Sequence, residues 1–309
     1  RPANKGVAES MKIRYWGVRG SIAVPGKETI EYGGNTSCVS VEADGRTLIF
    51  DAGTGIRLCG NYLLSRGGRI EASVFISHTH WDHIQGFPFF VPSYIPGNRF
   101  TLHGPPSDIQ NLSLKQIMEM QTNYEYFPVR ISQLGSTMDY VDCGEETLEA
   151  EGFEIRTCKL NHPVACLAYK LVYDGRCFIY GGDHEPYRNL YRDSDDEEDV
   201  DEEYMKELDR RADEQNRKIV EFCRGADVVS WDAQYDEREY QSKKGWGHST
   251  YRSNLALAEN AGLSHMIFTH HDPAQTDQSL SQREADVKKA AAGKNVRIEF
   301  AREGMEIDL

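Results

Sequence analysis

The chain contains no run of about 18 consecutive apolar residues, the length a helix needs to cross a bilayer, so no membrane span is expected. Its first segment, Arg1 to Ser10, is polar and lacks the apolar centre of a secretory signal, and reads as a linker or tag ahead of Met11. No Cys-x-x-Cys pair occurs. The 7 cysteines (Cys38, Cys59, Cys143, Cys158, Cys166, Cys177 and Cys223) are odd in number and scattered. That pattern excludes a disulfide framework and a zinc ribbon, and it suits a reducing cytoplasm. Basic residues are also short: 35 Lys and Arg stand against 49 Asp and Glu, a formal net charge of −14. A protein that grips a long polyanion clusters its positive charge, so polynucleotide binding is not expected. A small phosphate ester is affected less where bound dications supply the local positive charge.

What is present reads as strands interleaved with helices in two halves, without internal repeats. Met11–Trp16, Ser37–Glu42 and Thr47–Phe50 have the composition of strands and are punctuated by glycines. Helices are expected over Ile56–Ser65 and Ile109–Asn123. Further strands are expected at Phe153–Leu160, Leu167–Val172 and Arg176–Tyr180, followed by Met266–Thr269, a helix over Gln282–Ala292, and Val296–Phe300. This is an α/β pattern, and it suits a four-layer αββα sandwich spanning residues 11–309. One composition shift stands out. Asp193–Glu203 has 9 acidic residues, within an acidic insertion placed at about 188–215 that runs into helical periodicity over Tyr204–Cys223. It reads as a solvated loop leading to a surface helix; a gate excluding polyanions is the sharper alternative.

The chemistry concentrates where the apolar run Val74-Phe75-Ile76 ends. Ser77-His78-Thr79-His80-Trp81-Asp82-His83 offers four metal donors in the order His-x-His-x-Asp-His. A strand-end turn aims alternate side chains at one point, so His78 and His80 can share one cation while Asp82 and His83 take a second. Neutral imidazoles with a carboxylate suit zinc or a similar first-row ion. Later strand ends supply candidates for the remaining positions. His162 is the third ligand for the His78/His80 ion, Asp183 is a carboxylate able to bridge both ions, and His270 completes the Asp82/His83 site. His271 competes for that last role. His184, beside Asp183, is given no ligand role.

These residues, in this order, resemble the ribonuclease Z-like branch of the metallo-β-lactamase fold. Leu48-Ile49-Phe50-Asp51-Ala52-Gly53-Thr54-Gly55 is similar to that family's first motif, whose Asp lies behind the metal site and orients a ligand His. Trp246-Gly247-His248-Ser249-Thr250 is similar to the ribonuclease Z loop that carries a catalytic His. Asp232, in Trp231-Asp232-Ala233-Gln234-Tyr235, takes the place of the Glu that pairs with it, although Trp231 and Gln234 depart from the pattern. The basic, Gly/Pro-rich arm that clamps transfer RNA is missing. Gly17-Val18-Arg19-Gly20-Ser21, Tyr32-Gly33-Gly34-Asn35-Thr36-Ser37 and His270-His271-Asp272-Pro273 are closer to a subgroup that includes anti-Pycsar proteins.

That resemblance implies a cytoplasmic homodimer holding two divalent ions, Zn2+ or alternatively Mn2+. It implies hydrolysis of 3′,5′-cyclic nucleotides to 5′-monophosphates, with His248 as general acid oriented by Asp232, and with Asp82 in the catalytic set. Asn35, Thr36, Ser37 and Arg19 lie on Gly-flanked turns, where substrate contact, including a phosphate clamp by Arg19, and ordinary turn chemistry both remain open. Two alternatives use the same cluster: tRNA 3′-processing, and thiolester or lactone hydrolysis.

Overall fold

A computed structural model describes residues 10–193 and 201–309; the core of the acidic run and the leading linker lie outside the described residues. Two seven-stranded sheets make up the interior. In the first, β1 (Lys12–Gly17), β2 (Cys38–Ala43), β3 (Arg46–Phe50), β4 (Glu71–Phe75), β5 (Arg99–Gly104) and β6 (Thr137–Asp142) follow chain order. The second carries β7 (Thr147–Ala150), β8 (Phe153–Lys159), β9 (Leu167–Tyr173), β10 (Arg176–Tyr180), β11 (Val228–Asp232), β12 (His265–Thr269) and β13 (Arg297–Phe300), again in order. The last strand, β14 (Glu306–Asp308), returns to pair antiparallel with β1 and closes the first sheet's edge.

Strand alternation sets the layers. Leu48 and Phe50 of β3 join Phe75, Tyr169, Phe178 and Tyr180 in the core between the sheets, while Ile49 faces outward into a second cluster with Ile56, Cys59 and Leu63. On β10 the same period-2 rule sends Phe178 and Tyr180 inward, and Cys177 and Ile179 toward the helices on the other side. Helix α1 (Ile56–Ser65), the short α2 (Trp81–Ile84) and α3 (Leu114–Gln121) contribute to the first outer layer. Helices α4 (Glu202–Cys223), α6 (Tyr251–Ala261) and α7 (Asp277–Ala290) cover the second sheet, with the single turn α5 (Glu237–Tyr240) between them in sequence. The result is the expected αββα sandwich. Among the described residues no helix is long and apolar enough to cross a membrane.

Helix α3 starts later than its periodicity suggests. Asn111 sits at φ 54, outside the helical region, and Ser113 caps the helix with the Gln116 side chain reaching back to the Ser113 N–H at 2.9 Å. Ile109, expected inside the helix, is left exposed. Helix α7 starts earlier, at Asp277, because Thr276 caps it by accepting the Ser279 N–H at 3.2 Å.

Buried Glu284 ties α7 to the sheet. Its carboxylate accepts the Tyr32 hydroxyl at 2.6 Å, Arg302 at 3.0 Å and the Phe300 N–H at 3.3 Å, with Lys288 at 2.8 Å. Desolvation works to raise this carboxyl, but Lys288, Tyr32, Arg302 and the Phe300 N–H outweigh it and hold it at about 2. A depressed folded-state value means the stabilisation is present above the unfolded value of about 4.3 and is lost as pH falls toward about 2. Glu284→Gln is therefore expected to cost about 1–3 kcal/mol at neutral pH. Thermal melts of the two proteins at decreasing pH should converge; a constant difference across that range would contradict the assignment.

Candidate metal centre

The site forms where strands end. β3 and β4 run parallel, as do β10, β11 and β12, so their carboxyl ends open on one edge of the sandwich. From these ends come Asp51, the His78–His83 turn, Asp183, Asp232 and His270; His162 follows β8. Asp51 and His270 adopt φ values of 59 and 61, left-handed backbone that is uncommon for residues with side chains. Both sit where the chain must leave a strand abruptly while aiming a specific side chain, and strain of this kind collects at functional sites.

Seven side chains converge into two groups sharing one carboxylate. His78, His80, His162 and Asp183 form the first, and Asp82, His83, Asp183 and His270 the second. In the first, His80 Nδ1 lies 3.1 Å from His78 Nε2 and 3.0 Å from His162 Nε2, and Asp183 Oδ2 is 3.5 Å from His78 Nε2. In the second, His270 Nε2 lies 3.2 Å from His83 Nε2 and 3.0 Å from Asp82 Oδ2, while Asp183 Oδ2 is 3.3 Å from both imidazoles. His271 is directed elsewhere: its Nε2 meets the Ala301 carbonyl at 2.9 Å and its ring stacks on Phe300. Geometry thus selects His270 over its neighbour.

Partners behind the imidazoles fix which nitrogen faces inward. Asp51 Oδ2 lies 2.6 Å from His83 Nδ1 and also accepts hydroxyl donors from Ser77 at 2.8 Å and Tyr180 at 2.7 Å; Asp51 Oδ1 accepts the Ser77 N–H at 2.6 Å. His162 Nδ1 lies 3.0 Å from the Gly247 carbonyl, leaving Nε2 for the cluster. Gly20 approaches the His270 ring so closely that a Cβ there would come within 2.3 Å of it.

The two groups differ electrostatically. Burial, joined by neighbouring imidazoles, drives His78 well below the usual histidine range, and burial lowers His162 to about 4, so these are neutral donors at pH 7. Burial also works against protonation of His83 and His270. There the carboxylates Asp183 and Asp82 prevail, raising His83 and pushing His270 up to about 9. A cation entering the second group displaces those protons.

Beside the shared carboxylate stands a third group. His248 Nδ1 lies 3.2 Å from Asp232 Oδ2 and 3.8 Å from Asp183 Oδ2. Asp232 Oδ2 also accepts the Ser249 N–H at 3.0 Å, which binds the loop at the residue after His248. His184, not expected to be a ligand, is buried with its backbone N–H 3.2 Å from Asp232 Oδ2, and burial lowers its imidazole to about 3.

Turn chemistry accounts for the four candidate substrate contacts. Arg19 is 0% exposed and donates to the carbonyls of Gly33 and Gln275 at 2.7 Å each. Asn35 is held by Glu303, through its N–H at 2.6 Å and its amide at 3.0 Å. Thr36 and Thr54 exchange side-chain-to-backbone hydrogen bonds at 2.8 and 2.9 Å, and the Ser37 carbonyl accepts the Gly53 N–H at 2.9 Å. Thr36 and Ser37 thereby brace the Gly53–Thr54 loop.

Comparison with known proteins places the chain. The family model described as "Anti-Pycsar protein Apyc1" matches residues 28–203, more than half of it. The chain belongs to the anti-Pycsar Apyc1 family. It is also 25% identical to ribonuclease Z of Haloarcula marismortui, covering 94% of this chain and 98% of that protein. Ribonuclease Z of Nitrosopumilus maritimus is 24% identical, covering 81% and 87%. Among solved structures, the metallo-β-lactamase fold protein YhfI of Bacillus subtilis aligns with a TM-score of 0.65 at 17% identity, over 97% of this chain and 100% of that one. The short form of human tRNase Z gives 0.61 at 17% identity, over 96% and 98%. The fold is that of the metallo-β-lactamases, and this family member is a metal-dependent hydrolase.

The residues fit a pair of divalent ions. Each group presents only imidazole and carboxylate donors, buried or half-buried, with ligand atoms within 4.8 Å of one another. Four carboxylates (Asp51, Asp82, Asp183 and Asp232) are buried here together, a concentration of negative charge that is costly without cations to balance it.

Proposed function

We propose that this protein hydrolyses small phosphodiesters, foremost 3′,5′-cyclic nucleotides, to 5′-monophosphates. The observation that carries the reading is the sharing of Asp183 between two donor groups, with the His248–Asp232 pair at its side. A pair of divalent ions, zinc or alternatively manganese, supplies Lewis acidity when bound, polarising the phosphate and activating water. Three imidazoles and Asp183 would hold one ion; Asp82, His83, His270 and Asp183 would hold the other. The water oxygen forms the new bond to phosphorus as the bond to O3′ breaks. His248 gives its proton to departing O3′, which is a poor leaving group as an alkoxide, and the proton shed by water returns to solvent. Asp232, 3.2 Å from its Nδ1, orients His248. Membership of the anti-Pycsar family supports the cyclic nucleotide as substrate, and the resemblance further implies a homodimer in the cytoplasm.

A second reading, tRNA 3′-processing, is favoured by the ribonuclease Z relatives spanning nearly the whole chain. Net charge weighs against it, since a long polyanion meets a field of its own sign. A panel of cyclic mononucleotides, cyclic dinucleotides, tRNA precursors, thiolesters and lactones separates these readings. Cleavage of cyclic mononucleotides with inert tRNA precursors is the expected result. Turnover confined to thiolesters or lactones would refute phosphodiester chemistry altogether.

A further inference from the structure

Glu185 is not among the residues that the sequence motifs point to, yet it is 2% exposed and collects four donors. Its carboxylate accepts the Gly245 N–H at 2.9 Å and the Gly247 N–H at 2.9 Å, the Tyr240 hydroxyl at 2.6 Å, and Arg188 Nε at 3.1 Å. Its own backbone is fixed as well, since its N–H donates to the Asn161 carbonyl at 3.0 Å and its carbonyl accepts the Asn161 amide at 2.9 Å. Asn161 precedes the candidate ligand His162, and Glu185 follows Asp183 by two positions.

The loop it holds is tied at its two ends by Lys243, which reaches Asp272 at 3.2 Å, and by Ser249, whose hydroxyl donates to the His184 carbonyl; Glu185 acts between them. Gly245 and Gly247 take φ values of 83 and 89, conformations that suit glycine and that glycine does not enforce by itself. Loop placement therefore depends on hydrogen bonds. Glu185 supplies them before His248, Asp232 supplies them at and after it, and Gly247 is gripped at both ends, its N–H by Glu185 and its carbonyl by His162.

We propose that Glu185 is a positioning residue for the proton donor: by anchoring Gly245 and Gly247 it sets where the His248 imidazole stands over the shared carboxylate. This rests on the proposed function, in which His248 protonates the leaving oxygen. It goes beyond that reading by naming a carboxylate that touches neither substrate nor ions and acts only on the proton-transfer half of the reaction. Its neutral isostere carries one acceptor oxygen where the carboxylate carries two and has no charge, so the loop N–H groups, Tyr240 and Arg188 cannot all keep their partner and the hold on the loop weakens.

The test compares two substrates in the metal-loaded full chain: the cyclic nucleotide selected by the panel, and bis(p-nitrophenyl) phosphate, whose p-nitrophenolate departs without a proton. Glu185→Gln is expected to lower kcat on the cyclic nucleotide by about 10–100-fold, part of what the acid is worth, and to lower the ratio of the two kcat values by about 10-fold or more. Tyr240→Phe, which removes one of the carboxylate's donors, should move the ratio the same way by a few-fold, and it decides the matter if Glu185→Gln does not fold. Metal content and melting temperature are measured on each variant. Equal losses on both substrates, or an unchanged ratio in a variant that retains its metals, would overturn the positioning role. His248→Ala serves as the reference. If it moves the ratio and Glu185→Gln does not, only this inference fails; if His248→Ala leaves the ratio unmoved, the proton-donor reading itself fails.

Discussion

Asp183→Ala is expected to reduce phosphodiester hydrolysis by roughly 10³-fold or more, because several kcal/mol of charge stabilisation are lost together. Its Oδ2 is within 3.5 Å of donor atoms in both groups, and among the described residues it is the side chain that the two groups share. Removing it leaves three imidazoles on one side, and two imidazoles with Asp82 on the other, without the charge that draws two dications close. Metal content by elemental analysis should fall from two ions per chain toward one or fewer, in step with activity. Asp183→Asn should behave much as the alanine variant does, since a neutral amide cannot bridge as a carboxylate does. Two tightly held ions together with near-normal turnover in Asp183→Ala would show that the groups are independent, and the dinuclear reading would fall.

The second large effect is on proton delivery. In His248→Ala the loss on cyclic nucleotides should be about 10²–10⁴-fold, the usual worth of a general acid. Both ions should stay bound, because His248 is not needed in either group of four donors. This separates it from Asp183→Ala, where metal and activity vanish together. Asp232→Asn should reproduce part of the loss: Asp232 Oδ2 orients His248 and also accepts the Ser249 N–H, so both the imidazole and its loop lose an anchor. Unchanged cyclic-nucleotide turnover in His248→Ala would assign the proton to another group.

Much of this centre is legible in the sequence, because its densest part is contiguous. Three histidines and an aspartate within His78–His83 need only a strand end to gather them, and Val74-Phe75-Ile76 supplies one. His162, Asp183 and His270 are recognisable because each stands just past the end of a later strand. The four-layer sandwich comes from the same alternation that sorts Leu48 and Phe50 from Ile49. Glu185 carries no such signal. Its partners Tyr240, Gly245 and Gly247 lie 55 to 62 positions away and meet it only once β10 and β11 are paired. Strand β11 is itself hidden, since Val228–Asp232 is buried on both faces and shows no alternation. Arg19 is a position where the sequence leaves two readings open. Glycines on either side fit an open turn and a tightly packed one equally well, and only the packed backbone shows the guanidinium buried against the carbonyls of Gly33 and Gln275.

Each donor group draws on both sheets. His78, His80, Asp82 and His83 come from the first, and His162, Asp183 and His270 from the second. Ions seated there would rivet the two halves of the sandwich along one seam, so occupancy becomes a contribution to cohesion as well as to turnover. At a free ion concentration 100 times Kd, mass action adds about 2.7 kcal/mol per site. Chelation should accordingly lower the melting temperature and broaden the transition, and re-supplying ions should reverse both.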